Sequence, residues 1–133
     1  MPEEPFESIK KHQFIALSTF RKSGQEVITP VWFVNQGSHL YVWTGKTSGK
    51  VKRIRNNPRV RLVPSDFRGT PRGNWVEGTA SIHEQGENSE VEQLFRKKYG
   101  LQFKLFSGLG QGRGSEVVFL MIQAPRPGLE PGT

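Results

Sequence analysis

Residues 40–62 (LYVWTGKTSGKVKRIRNNPRVRL) constrain this chain more than any other stretch, because their periodicity changes twice. Residues 40–44 are β-branched and aromatic, the composition of a strand. Gly45, Ser48 and Gly49 break that strand. From Ser48 or Gly49 the spacing turns helical, with Val51 and Ile54 three apart on one face. Asn56-Asn57-Pro58 stops the helix, since the residue before a proline is driven out of the α region. Residues 59–62 then resume a strand. Residues 46–61 hold seven Lys or Arg and no Asp or Glu. A helix N-terminus presents free backbone N–H groups and the positive end of a dipole. Thr47 and Ser48 add hydroxyls there, and Lys50, Lys52 and Arg53 add charge. This is a site for a phosphate or for a polyanion.

A chain of 133 residues predicts one domain. Only 34% of it is hydrophobic, and it carries 15 Gly and 9 Pro, which favours a loop-rich β protein over a helix bundle. The absence of Cys excludes a disulfide framework and thiolate chemistry and fits a reducing compartment, so a cytoplasmic location is expected. No apolar run approaches the ~18 residues of a membrane span. The acidic start MPEEPFESIKKHQ lacks the apolar core of a signal peptide. The net charge of +7 is concentrated in residues 46–72. Local positive charge points to phosphates without separating a phosphorylated cofactor from nucleic acid. It gathers at one helix start rather than along a groove, so no specific nucleic-acid partner is expected.

The remaining elements follow from pattern and turn residues. Residues 5–12 predict a lead-in helix, with Phe6 and Ile9 on one face. Residues 14–20 predict a first strand, and a turn at residues 22–25 uses Gly24 for positive φ. Residues 27–34 (VITPVWFV) predict a second strand, where Pro30 marks an edge or a bulge because it cannot donate to a ladder. Residues 35–38 turn into the strand at Leu40. Residues 64–74 predict a polar loop and residues 75–83 a fifth strand, in which Gly78 signals a bend or a close backbone approach. Residues 87–99 predict the main helix. Ser89 and Glu92 stand at capping-box spacing, Val91, Leu94 and Phe95 form the buried stripe, and Gly100 stops it. Residues 101–109 predict a second short helix, residues 108–114 a loop and residues 116–123 a buried last strand. Residues 124–133 (APRPGLEPGT) predict a disordered tail after a domain of residues 1–123. The fold expected is mainly β, a six-stranded, strongly curved antiparallel barrel.

Several chemistries are excluded by spacing. Gly45-Lys46-Thr47 resembles the end of a phosphate-binding P-loop, but Leu40 stands where that motif needs Gly. His12, His39 and His83 fall on different elements without metal-ligand spacing. Asp66 and Glu77 read as solvated charges. An enzyme built from these residues needs a cofactor for its chemistry. Trp32, Phe33, Tyr41, Trp43 and Trp75 fall on neighbouring predicted strands. They can pack a core or a dimer, hold a planar ring system whose phosphate lies at residues 48–53, or stack the bases of a single-stranded nucleic acid.

Taken together, TPVWF (29–33), LYVWT (40–44), SGKVKRIRNNPRV (48–60), WVEGTA (75–80) and KKYGL (97–101) resemble the pyridoxamine 5′-phosphate oxidase-like split β-barrel superfamily. Within it, they look like the branch of oxidoreductases that use the deazaflavin coenzyme F420. The resemblance covers residues 8–123. It implies a homodimeric oxidoreductase with a small-molecule substrate. Two interface sites would each bind F420, or alternatively FMN, through contacts from both chains. In pyridoxamine phosphate oxidases a Ser-Arg-Lys triplet at the helix start holds the FMN phosphate. Ser48 and Lys50 match it, while Gly49 replaces the Arg, a departure that suits the deazaflavin branch. Thr47 and Arg53 belong to the same helix start. Thr29, Pro30, Val31 and Trp32 match the strand along the ring, Trp43 and Thr44 its neighbour, and Trp75 with Glu77 the strand near the partner's site. The resemblance places no catalytic acid or base here. The alternatives are an FMN-binding relative, a split barrel that only carries its ligand, and a basic β-barrel that binds single-stranded nucleic acid.

Overall fold

The computed structural model describes Phe6, Ile9 and residues 11–84, 89–100 and 117–124. The expected helix at residues 101–109, the loop at 108–114 and the tail beyond Ala124 lie outside the described residues. Among the described residues, two helices and seven strands follow in the order β1 (Phe14–Phe20), β2 (Glu26–Val31), β3 (Phe33–Gln36), β4 (His39–Gly45), α1 (Gly49–Asn56), β5 (Arg59–Ser65), β6 (Val76–Glu84), α2 (Ser89–Tyr99) and β7 (Val117–Gln123). All pairings are antiparallel, in the order β2-β1-β5-β6-β7-β4-β3. The mainly-β antiparallel split barrel expected from the sequence is therefore present.

The strand count is seven rather than six, because the expected strand at residues 27–34 is divided at Trp32. Val31 and Phe33 face the core while Trp32 and Val34 pack on the α2 side, so the in–out alternation runs on through the break. What changes is the partner. Before Trp32 the chain pairs with β1, and after it with β4. The first and last strands of the sheet are thus neighbours in the chain, and the backbone itself joins the two edges of the split barrel. Pro30 lies on edge strand β2, where its missing N–H is tolerated.

Two apolar layers follow from the alternation. Ile15 and Leu17 of β1, Leu40 and Val42 of β4, Val60 and Leu62 of β5, and Val118, Leu120 and Ile122 of β7 fill the main core. Val51 and Ile54, the two helical positions read from the sequence, bury α1 against this core. Phe6 and Ile9 join it from the N-terminal segment. Tyr41, Trp43, Phe119 and Met121 take the opposite face of β4 and β7, where Val91, Phe95 and Tyr99 of α2 cover them. Gly78 permits a close crossing. A Cβ there would lie 2.8 Å from Ile122 Cγ2 and 3.3 Å from the Gln123 carbonyl oxygen.

Candidate functional site

Ser48 caps α1 with extended backbone (φ −65°, ψ 157°), and its hydroxyl accepts the Val51 N–H at 3.5 Å. Across the turn, Thr44 Oγ1 stands 3.2 Å from Ser48 Oγ. The N–H groups of Gly49 and Lys50 open the helix with no acceptor inside it. Gly49 lacks a side chain, and Arg53 uses the space. Its guanidinium folds back over the first turn, so that a Cβ on Gly49 would lie 2.8 Å from Arg53 Nη1. Thr19 of β1 anchors that conformation by accepting from Arg53 Nε at 2.7 Å.

The electrostatics of this helix start favour an anion. Burial first, and then the charge of Arg53, hold Lys50 below its usual lysine range. Burial, followed by the charge of Arg21, does the same to Arg53. Among the described residues no carboxylate pairs with Arg21, Lys50 or Arg53. Crowded, partly desolvated cations are relieved by a bound anion. A phosphate also meets free N–H groups and a helix dipole here.

β2 supplies a second surface. Thr29 lies across from Leu17, on the strand face that carries Thr19 and, through it, Arg53. Thr29 Oγ1 is buried without a hydrogen-bond partner. The register puts it two residues, about 7 Å, along β2 from Val27, which faces Thr19. Val31 is buried in the core, and Pro30 is exposed beside Gly69.

The chain does not draw every candidate residue to this point. Thr44, Ser48, Gly49, Lys50 and Arg53 gather at α1, and Thr47 is exposed in the turn before it. Trp32 and Trp43 pack under α2 instead. Trp32 stacks on Tyr99 at 4.3 Å with an interplanar angle of 6°, and Trp43 meets Phe95 and Phe119 edge-on. Trp75 lies beneath the Arg61 guanidinium at 4.9 Å. Glu77 pairs with Arg59 and Arg61, and Asp66 accepts the N–H groups of Arg68 and Thr70 to shape its own turn. Thr19 and Arg21 join the site without having been singled out from the sequence. The available signal was a threonine at the inward position that follows Ile15 and Leu17.

The model of one sequence family, Pyridoxamine 5′-phosphate oxidase, matches residues 1–121. The chain belongs to the pyridoxamine 5′-phosphate oxidase family. Among curated proteins none matches the sequence. Solved structures share the family fold at low identity. The conserved hypothetical protein Rv2991 of Mycobacterium tuberculosis is 21% identical with a TM-score of 0.66, over 89% of this chain and 76% of that one. An F420 reductase is 16% identical with a TM-score of 0.62, over 95% and 97%. The heme storage protein HutZ of Vibrio cholerae is 14% identical with a TM-score of 0.63, over 87% and 84%. No helix among the described residues of this family member is long and apolar enough to cross a membrane.

Proposed function

We propose that this chain is an oxidoreductase that binds a flavin-type cofactor, the deazaflavin F420 or alternatively FMN, and acts on a small organic substrate. The observation that carries the reading is the cation cluster at α1. Among the described residues, Lys50 and Arg53 have no carboxylate partner, and they stand beside the free N–H groups and capping hydroxyl of a helix start. The position of Arg53 bears on the family's Ser-Arg-Lys triplet. Gly49 replaces the triplet's Arg, and the Arg53 guanidinium lies where a side chain on Gly49 would begin. A guanidinium is thus supplied from the next turn of the helix, and the residues present fit a phosphate. The orphaned hydroxyl of Thr29 fits a polar edge of a ring laid along Thr29 to Trp32.

In this reading Ser48, Lys50, Arg53 and the α1 N–H groups hold the phosphate, and Arg53 is kept aimed by Thr19. When bound, the cofactor supplies the hydride chemistry; the protein orients it and excludes water. The chain acts as a homodimer, with Trp75 contributed near the partner's site. Light scattering at micromolar concentration should give twice the 15.1 kDa chain mass; a monomer would remove the shared site. The likeness to a heme storage protein supports a second reading, a split barrel that holds its ligand without turning it over.

Titration of F420 and of FMN into wild type and Lys50→Ala tests the cofactor reading. A charge-assisted contact is worth about 1.5–3 kcal/mol, so affinity should fall roughly tenfold to a hundredfold. Lys22→Ala, on the exposed β1–β2 turn, should bind as wild type does. Equal binding of both ligands by Lys50→Ala would move the phosphate away from α1. Loading the protein with reduced cofactor and following its absorbance as candidate substrates are added separates turnover, in which the cofactor is oxidised as the substrate is reduced, from carriage, in which it stays reduced.

A further inference from the structure

A second cationic site lies on another face of the fold. A cleft of about 350 Å³ opens between the segment before β1, strand β3 and helix α2, lined by Lys11, Gln13, Val34, Asn35, Leu94, Lys97 and Lys98. Its volume falls in the ordinary range for small-molecule sites. Three of the seven lining residues are lysines, and none is acidic. Among the described residues no carboxylate forms an ion pair with Lys11, Lys97 or Lys98. Lys97 and Lys98 stand in the last turn of α2, where a helix dipole favours cations. That does not account for Lys11, which arrives from a separate segment.

Lys98 is half-buried, unlike the exposed Lys11 and Lys97. Its Nζ donates to the Phe33 carbonyl oxygen at 3.0 Å and sits 3.5 Å from the centre of the Phe33 ring. Burial lowers its pKa to about 8. Such a group gains from an opposite charge brought alongside it. The walls are otherwise apolar at Val34 and Leu94. Asn35 also lines the cleft. Its Nδ2 donates to the Phe6 carbonyl oxygen at 3.2 Å, while its Oδ1 is buried without a partner.

We infer that the cleft between α2 and β3 is a binding site for a small organic anion, a phosphate or carboxylate attached to a compact apolar body. Lys11, Lys97 and Lys98 hold the anionic end, and Val34 and Leu94 pack against the rest. The site shares no residue with the cluster at α1, so it is independent of the cofactor reading.

Phenyl phosphate is a suitable probe, with inorganic phosphate as the comparison lacking an apolar body. Both are titrated by calorimetry into Lys50→Ala, a background that weakens the anion site at α1. Phenyl phosphate should bind more tightly than inorganic phosphate, and amide resonances of Val34 and Leu94 should shift on its addition. Adding Lys97→Glu or Lys98→Met should weaken phenyl phosphate about tenfold, as loss of one charge-assisted contact predicts. Lys97 is exposed, so its variant answers the question even where Lys98→Met fails to fold. The inference is overturned if Lys97→Glu leaves phenyl phosphate affinity within about twofold. It is equally overturned if inorganic phosphate binds as well as phenyl phosphate, or if the shifts stay at α1.

Discussion

Tyr99→Phe removes one oxygen atom from the point where the two edges of the sheet meet. The Tyr99 hydroxyl accepts the Phe33 N–H at 2.9 Å, and the carbonyl oxygens of Gln13 and Phe33 lie at 2.9 Å as its acceptors. Phe33 is fully buried, so its N–H has no water to replace the lost acceptor. The Phe33 carbonyl keeps a donor in Lys98, and the Gln13 carbonyl is only partly buried. The cost is therefore dominated by one buried, unsatisfied donor, about 1–3 kcal/mol. The stack of residue 99 on Trp32 needs only the ring and survives the change. For a chain of this size the melting temperature should fall by roughly 3–10 °C. In urea the midpoint should fall with an unchanged slope, because the surface exposed on unfolding is the same. A loss smaller than about 0.5 kcal/mol would refute the claim that this hydroxyl secures the junction of β2 and β3.

Gly78→Ala should destabilise by about 1–3 kcal/mol in the same melts, since the new Cβ would collide with Ile122 at 2.8 Å, inside a packed core. Glu26 accepts from the buried Ser18 hydroxyl at 2.7 Å and pairs with Arg61 at 2.8 Å, and these hold its carboxyl below the ordinary value of 4.5. The stabilisation this brings is complete above the unfolded value and is lost as pH falls through the lower folded one. Ser18→Ala should raise the Glu26 pKa, read by NMR titration, and flatten the loss of stability in acid; an unmoved pKa would assign the effect to Arg61 alone.

Local signals were readable because each is complete within a few residues. The span of β1 matches its apolar run, and α1 begins at the Ser48 cap and ends before Pro58 as its sequence demands. Gly24 and Gly37 take positive φ in the two hairpin turns. The division at Trp32 was hidden because side-chain alternation continues through it, and only the pairing partner changes. Nothing within VITPVWFV records which strand lies alongside. Similarly, β5 runs on to Ser65 through a proline that reads locally as loop, because β1 pairs with it as far as that residue. At the candidate site, the helix start was legible as cap plus charge. The folding back of Arg53 depends on Thr19, 34 positions away. Trp32 and Trp43 gave only their aromatic character, and their packing under α2 depends on a helix that begins at Ser89, far along the chain.

An open sheet has two edges, and each is a template on which another chain can grow. Here both edges fall to a single uninterrupted stretch, β2 and β3 on either side of Trp32. One edge contains Pro30, which removes a donor from the row, and the other is four residues long. Neither offers the long, flat row of free N–H and C=O groups that recruits a stray strand into an aggregate. Extension of one sheet by the edge of another is therefore disfavoured. The bend that joins the sheet's ends also decides what kind of assembly the molecule can make.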